Sequence, residues 1–236
     1  NLNKQKQLAE MKSEFISNMT HELKTPIATM GVALEALSDF GGMNDPKRKA
    51  EYLDISKHEL NRLEILVDKV MQMSSIENNE LKIEMESLDL KSLSEKMIKS
   101  MRLQFENAQV QLTQNIEGNN FNVKGDKMHL TNVLYNLLDN ALKYSKENPT
   151  IHFKLKEEPK HIVFEIEDNG IGIKPEYQKK IFDRFFRVPT NDIHNVKGHG
   201  IGLNYVADII EKHHGEIKLK SEENKGTCIT ISLPKL

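Results

Sequence analysis

His21-Glu22-Leu23-Lys24-Thr25-Pro26-Ile27-Ala28 lies inside a longer apolar pattern, and the two together decide the first part of the fold. Leu8, Met11, Phe15, Met19, Leu23, Ile27, Met30, Leu34 and Leu37 recur at steps of three and four. That is the stripe of a helix that packs on other helices. At about 100° per residue, Met19 and Leu23 fall close together while His21 falls on nearly the opposite side. Glu22 adjoins His21, and Thr25 shares its face four residues on. A helix built for burial therefore presents an imidazole, a carboxylate and a hydroxyl to solvent, a grouping suited to chemistry rather than packing.

The pattern predicts a first helix from about Lys4 to Phe40, ended by Gly41-Gly42, with Asn44-Asp45-Pro46 opening a second. Leu53, Leu60, Leu63, Val67 and Val70 form its stripe, which fades between Ser74 and Asn79. Two long amphipathic helices on a short turn make an antiparallel hairpin. A lone hairpin cannot bury a stripe of this length on both helices, so a four-helix bundle from two copies is expected. Consecutive steps of four from Met11 to Ile27 depart from a strict heptad, and Pro26 removes an N–H at the same place. Pattern alone leaves two readings, a harmless irregularity or a bend beside the reactive face.

Composition bounds the rest. A chain of 236 residues allows one or two domains, and a net charge of -2 gives no electrostatic case for nucleic acid or an anionic membrane. The single Cys228 has no internal disulfide partner and reads as a small strand residue in a reducing compartment. No apolar run approaches the roughly 18 residues of a membrane span. The chain opens without Met on Asn1-Leu2-Asn3-Lys4 in helical pattern, so an excised portion of a longer protein is expected.

From Leu81 the periodicity changes. Leu81 to Met85 reads as a strand, Leu90 to Ala108 as a helix, and Val110 to Ile116 and Phe121 to Val123 as strands. Asp126 caps a helix to about Tyr144, followed by strands Ile151 to Leu155 and His161 to Glu167. After a glycine-punctuated stretch from Gly170 to Gly202 comes a helix to His214, capped by Gly215. The hairpin Glu216 to Ser221 and Thr227 to Leu233 closes the chain. The expected architecture is a helical hairpin over 1–78 and an α/β two-layer sandwich over 79–236, with a lid at about 170–202. His213-His214 read as complements to a helix C-terminal dipole.

Three elements of the sandwich carry chemistry suited to a nucleotide. Asn136, Asn140 and Lys143 share one helix face with Tyr144 beside them; amide oxygens suit Mg²⁺ and an ammonium suits phosphate. A solvated polar face is the plainer reading of that element. Glu167-Asp168-Asn169-Gly170-Ile171-Gly172 follows a strand, where a carboxylate can accept from an exocyclic amine such as adenine N6. Read alone, it is also an ordinary Asp-Asn-Gly turn. Lys197-Gly198-His199-Gly200-Ile201-Gly202 opens a helix, whose N-terminus suits phosphate. Between the last two lie Phe182, Phe185, Phe186 and Arg187, either lid anchors and a phosphate contact or, for the aromatics, scattered core. No G-x-x-x-x-G-K-[ST] is present, and the Val-Ala-Ile-Lys, His-Arg-Asp and Asp-Phe-Gly signatures of Ser/Thr/Tyr kinases are missing. His21-Glu22 begins like a zinc-binding H-E-x-x-H, but Thr25 stands at the second His position.

In this order, the motifs resemble the bacterial two-component sensor histidine kinases over nearly the whole chain. The resemblance implies a dimerisation and phosphotransfer hairpin followed by a Bergerat-type ATP-binding domain. It implies His21 as phosphoacceptor, Glu22 as base, and Thr25 as the residue orienting water when such enzymes dephosphorylate their partner. Asn136 and Asn140 resemble the N-box, with Asn140 the Mg²⁺ ligand and Lys143 and Tyr144 near the phosphates. Asp168 resembles the adenine-binding Asp with Gly170 and Gly172 beside it, supported by Thr227 through water. Phe182, Phe185 and Phe186 resemble the F-box, Arg187 the lid arginine, and Gly198, Gly200 and Gly202 the last glycine box. His199 stands where the family usually carries a small hydroxyl residue. The implied cofactors are ATP and Mg²⁺. The implied partners are a second copy through the hairpin and the receiver domain of a cognate response regulator, with no nucleic acid. The implied location is the cytoplasmic side of a bacterial inner membrane, reached only through upstream segments. A catalytically silent ATP-binding dimeric switch or scaffold is the alternative, and a gyrase- or chaperone-like ATPase leaves the His21 hairpin without a purpose.

Overall fold

In the computed structural model, the chain divides into two compact units, Asn1–Glu80 and Leu81–Leu236. Residues 2–38, 45–77, 82–186, 188 and 202–236 are described. The turn glycines Gly41 and Gly42, and the side chains of Leu8, Met11 and Phe15, lie outside the described residues.

The first unit is a helical hairpin of α1 (Leu2–Ser38) and α2 (Pro46–Glu77). Asp45 starts α2 as expected: its Oδ1 accepts the Lys47 and Arg48 amides at 2.9 and 3.4 Å, with Pro46 at the first helical position. Pro26 sits inside α1 without ending it. It cannot donate to the Glu22 carbonyl, and the hydroxyls of Thr20, Thr25 and Thr29 donate to the carbonyls four residues back at 2.8, 3.2 and 3.0 Å.

The α1 stripe proves to be two lines. Met19, Pro26, Ala33 and Leu37 are buried, with Leu66 of α2. Ile16, Ile27 and Leu34, about 60–80° further round the helix, remain exposed, Ile27 at 54%. On α2, Leu53, Leu60 and Val67 recur every seven residues and are likewise exposed, Leu60 at 56%. One hairpin thus covers one line of each helix and leaves a second uncovered.

The second unit is a two-layer α/β sandwich. Its main sheet has the order β2 (Gln111–Glu117), β4 (Thr150–Glu157), β5 (His161–Asp168), β7 (Gly226–Pro234), β6 (Glu216–Glu222). Only β2 and β4 run parallel; the other pairs are antiparallel. Every second residue of β4 and β5 is buried, including Phe153 and Phe164. They meet the apolar faces of α5 (Lys127–Lys143) and α7 (Gly202–Lys212). Asp126 caps α5, its carboxylate accepting the His129 amide at 3.0 Å. A small antiparallel pair, β1 (Glu86–Asp89) with β3 (Asn122–Gly125), flanks α3 (Leu90–Ser100) and α4 (Arg102–Asn107).

Four local expectations are corrected. Residues 82–85 form no strand; β1 begins at Glu86, because Lys82 and Glu84 spend their backbone groups on side chains of α5 and its cap rather than on a ladder. The helix read over Leu90 to Ala108 breaks at Met101, whose backbone (φ -90, ψ 1) re-aims the chain while Met101 and Phe105 are both buried. The left-handed residue after α7 is His214 (φ 56), not Gly215. Gly215 instead donates its amide to the Ile210 carbonyl at 2.9 Å, and a Cβ there would meet Ser232 O at 2.7 Å. His213 is no exposed cation at a helix end: it is buried, and burial holds its imidazole below the ordinary range.

Candidate functional site

His21 is exposed on α1, with Glu22 and Leu23 half-buried and Thr25 exposed one turn on. The expected display of an imidazole and a hydroxyl is therefore realised, and Glu22 sits at the margin of the packed face. The Thr25 hydroxyl donates to the His21 carbonyl at 3.2 Å. A hydroxyl that gives its proton to the backbone keeps its lone pairs for an outside donor such as water.

In the sandwich, Asp168 closes β5 and faces Thr227 across the ladder. Its Oδ1 accepts the Gly170 amide at 2.8 Å and the Thr227 amide at 3.3 Å. Among the described residues Oδ2 has no partner. Burial pushes the carboxyl up to about 6, against the lowering effect of those two amides. The chain beyond Asp168 is clamped. Ile171 donates to the Tyr144 carbonyl at 3.0 Å, and a Cβ on Gly170 would meet that same carbonyl at 2.3 Å. Gly172 has φ +65, and a Cβ there would meet the Glu222 carbonyl at 1.9 Å. Only glycine allows either approach.

Tyr144 is the C-cap of α5 and links this turn to the polar face of the helix. On that face the Asn136 amide donates to Asn132 O at 2.8 Å, and a Cβ on Gly202 would meet Asn136 Oδ1 at 2.9 Å. The first turn of α7 thus rests on Asn136. Asn140 is half-buried, and its amide makes no hydrogen bond among the described residues. Lys143 forms an ion pair with Asp139, four residues back. Phe182 is half-buried and its carbonyl accepts from Asn204 at 3.0 Å; Phe186 stacks near Tyr177, ring centroids 5.9 Å apart. Arg187, Gly198 and Gly200 lie outside the described residues.

The structure therefore brings Asp168, Gly170 and Thr227 into direct contact, and Asn136 against Gly202. His21, Glu22 and Thr25 lie on the other unit. Several supports escaped the sequence reading. Ser221 accepts the Ile173 amide at 2.8 Å, donates to Gly226 O and meets the Thr227 hydroxyl, both at 2.9 Å. Gly226 has φ +122, and a Cβ there would meet Asp168 O at 1.9 Å. The Asn169 side chain ties Thr150 N and Asn148 O. The Gly226-Thr227 pair at a strand start was a visible signal; Ser221, an ordinary strand-end serine, offered none. Cys228 is half-buried, and burial pushes its thiol up to about 11, in keeping with a packing role.

Among the described residues no group of three His, Cys, Asp or Glu can cage a metal. A half-buried amide oxygen at Asn140, with ligands completed by phosphate and water, fits the habits of Mg²⁺. No helix among the described residues is long and apolar enough to cross a membrane.

Two family models match in the order the geometry suggests. The His Kinase A (phospho-acceptor) domain covers residues 11–79, and the histidine kinase-, DNA gyrase B- and HSP90-like ATPase covers 125–236. The chain belongs to the sensor histidine kinases. It is 42% identical over 235 residues to the sensor protein RprX of Bacteroides fragilis, a match spanning 99% of this chain and 45% of that protein. Among solved structures, the histidine kinase AdeS of Acinetobacter baumannii superposes with a TM-score of 0.63 at 25% identity, covering 91% of this chain and 97% of that one. The histidine kinase ThkA, solved in complex with response regulator protein TrrA, shares the fold at a TM-score of 0.63 and 22% identity, over 99% of this chain and 65% of its own. This histidine kinase chain thus spans less than half the length of its Bacteroides relative.

Proposed function

We propose that this histidine kinase phosphorylates itself on His21 from ATP and passes the phosphoryl group to an aspartate of a response regulator. The observation that supports it most is His21 exposed beside Glu22 on a helix otherwise given to packing, in a chain whose other unit carries the Asp168 cradle. Asp168 Oδ2 accepts a hydrogen bond from the adenine exocyclic amine, a charge-assisted bond of about 1.5–3 kcal/mol. Gly170, Gly172 and Thr227 shape the base pocket. Asn136, Lys143, Tyr144, Phe182 and Gly202 line the phosphate side, and the motif resemblance assigns Arg187, Gly198 and Gly200 to phosphate binding as well. Asn140 holds Mg²⁺, which when bound neutralises charge on the phosphates.

A neutral imidazole is the common form near neutral pH and leaves one ring nitrogen bare. That nitrogen of His21 attacks the γ-phosphorus; a P–N bond forms, the bond to the bridging oxygen breaks, and ADP leaves. Glu22 holds the proton on the other ring nitrogen and offsets the charge that develops there. In transfer, the regulator's carboxylate oxygen attacks the same phosphorus, and His21 leaves as imidazole. Thr25 serves the opposing function, its oxygen accepting a hydrogen bond from, and so orienting, the water that hydrolyses the aspartyl phosphate. A second copy covers the exposed Ile27 and Leu60 lines, completing a four-helix bundle. The complete protein is read as a membrane sensor whose further segments supply the input.

Incubation with γ-³²P-ATP tests the reading. The expected result is acid-labile label on the natural chain and none on His21→Gln, with ATP binding retained by both. Undiminished label on His21→Gln would refute the assignment.

A further inference from the structure

Asp126, His129, Tyr205 and His213 form a buried polar cluster that the phosphotransfer chemistry does not use, exposed by 6, 5, 1 and 2% respectively. Three separate parts of the sandwich meet in it. Asp126 and His129 stand at the start of α5, and Tyr205 and His213 lie on and just beyond α7. Lys82 and Glu84 belong to the segment that opens the unit. Glu84 N donates to Asp126 Oδ2 at 2.9 Å, and His129 Nε2 meets Lys82 O at 3.3 Å. His129 Nδ1 meets Tyr205 Oη at 2.8 Å. Asp126 N donates to His213 Nε2 at 2.9 Å, and His213 Nδ1 meets Ile209 O at 2.7 Å.

The backbone groups fix the tautomers. An amide only donates, so His213 Nε2 is bare and its proton sits on Nδ1, given to Ile209 O. A carbonyl only accepts, so His129 Nε2 carries a proton, and in the neutral ring Nδ1 accepts a hydrogen bond from the Tyr205 hydroxyl. Each bond is directional, and every ring nitrogen is used. Apolar side chains of similar size would fill this space without the cost of burying polar groups. What apolar packing does not supply is a set bearing between the opening segment and the two helices.

That bearing matters because of what α5 and α7 carry. Asn136 lies ten residues beyond Asp126, about 15 Å along α5. Gly202, one turn before Tyr205, lies against the Asn136 side chain, where a Cβ would meet Oδ1 at 2.9 Å. Displacing the first turn of α7 therefore changes the contact at Asn136.

We propose that Asp126, His129, Tyr205 and His213 are positioning residues forming a clasp that couples the segment at Lys82–Glu84 to the Asn136–Gly202 contact of the nucleotide site. The clasp rests on the nucleotide assignment made above. Coupling is reciprocal: if the segment biases the site, nucleotide binding must stabilise the segment.

Hydrogen exchange on the full 236-residue chain, with and without saturating ADP, reads this directly, with binding followed in parallel by calorimetry. The expected result is exchange at the Glu84 amide slowed by ADP about fivefold or more. Tyr205→Phe keeps the ring packing and removes one hydroxyl; it should still bind ADP but lose most of that slowing. Asp126→Asn, which can keep the α5 cap but not the Glu84 bond as well, should behave alike if Tyr205→Phe folds poorly. ADP bound with no slowing at Glu84, or slowing that survives in both variants, overturns the clasp alone. Failure of ADP to bind the natural chain overturns the nucleotide assignment and the clasp with it.

Discussion

The hairpin and the sandwich treat their polar and apolar groups in opposite ways. On the hairpin, His21 and Thr25 stand in the open, and so do Ile16, Ile27, Leu34, Leu53, Leu60 and Val67. In the sandwich, Phe153, Phe164 and the apolar faces of α5 and α7 are buried, and even two histidines and an aspartate are sealed in a satisfied network. Asp168 is braced by two amides and fenced by glycines that admit no side chain. Under the proposed function, the contrast separates two tasks. An acceptor that must meet first a nucleotide and then a regulator works best on an accessible helix. A nucleotide site works best when its donors and acceptors are fixed beforehand.

The contrast can be broken most sharply at the uncovered hairpin lines. Ile27→Asp with Leu60→Asp should convert a dimer to monomers, weakening association by about 100-fold or more, since each side chain contributes about 1.5–3 kcal/mol when buried. Sedimentation across a concentration series reads this, and the isolated sandwich fold should be untouched. An unchanged dimer would mean that these lines are covered by something else.

At Asp168 the expected effect is slightly smaller. Asp168→Asn should weaken ATP binding by about 10- to 100-fold, the range of a lost charge-assisted bond. The same change should raise the melting temperature at pH 7. The sign follows from the carboxyl pushed up to about 6: its charge is disfavoured in the fold, so the cost is absent at low pH, grows as pH rises from the ordinary carboxylate range to about 6, and is full and constant above it. Binding runs the other way. The ionised form receives the adenine amine, so affinity of the natural chain should fall as pH drops through about 6, and the Asn variant should lack that inflection. Calorimetry and thermal melts over pH 5 to 8, a range of about three units around that value, check both.

Gly226→Ala places a Cβ against the Asp168 carbonyl at a left-handed backbone position. It should cost about 1–3 kcal/mol of stability and lower ATP affinity about tenfold. Thr25→Ala is the mildest change. Autophosphorylation should be unaltered, while dephosphorylation of the regulator slows several-fold; an unchanged dephosphorylation rate removes Thr25 from that reaction.

Much of the molecule was legible because periodicity reports burial. Steps of three and four located both hairpin helices, and alternation located β4, β5, β6 and β7. Asp45 and Asp126 announced two helix starts by their capping chemistry. Two of the failures share a cause: long-range bonds outcompeted local pattern. Alternation around Ile83 looked like a strand, yet the backbone groups of its neighbours Glu84 and Lys82 are taken by Asp126 and His129, more than forty residues away. His213 looked like a cation for a helix end, and the Asp126 amide makes it a buried acceptor. In the candidate site, Asp168, Gly170 and Gly172 could be read from a turn after a strand. Ser221 could not be assigned to it, because only the β6–β7 pairing brings it there.

The central claim is that His21 receives the phosphoryl group from a nucleotide held at Asp168. Locating the phosphate by peptide mapping at alkaline pH, where P–N bonds survive, tests it most directly. The expected result is phosphate on the peptide containing His21 in the natural chain, sharply reduced in Asp168→Asn at low ATP and recovered at high ATP. Phosphate on any other residue, or on His21 at a level indifferent to Asp168, would contradict it.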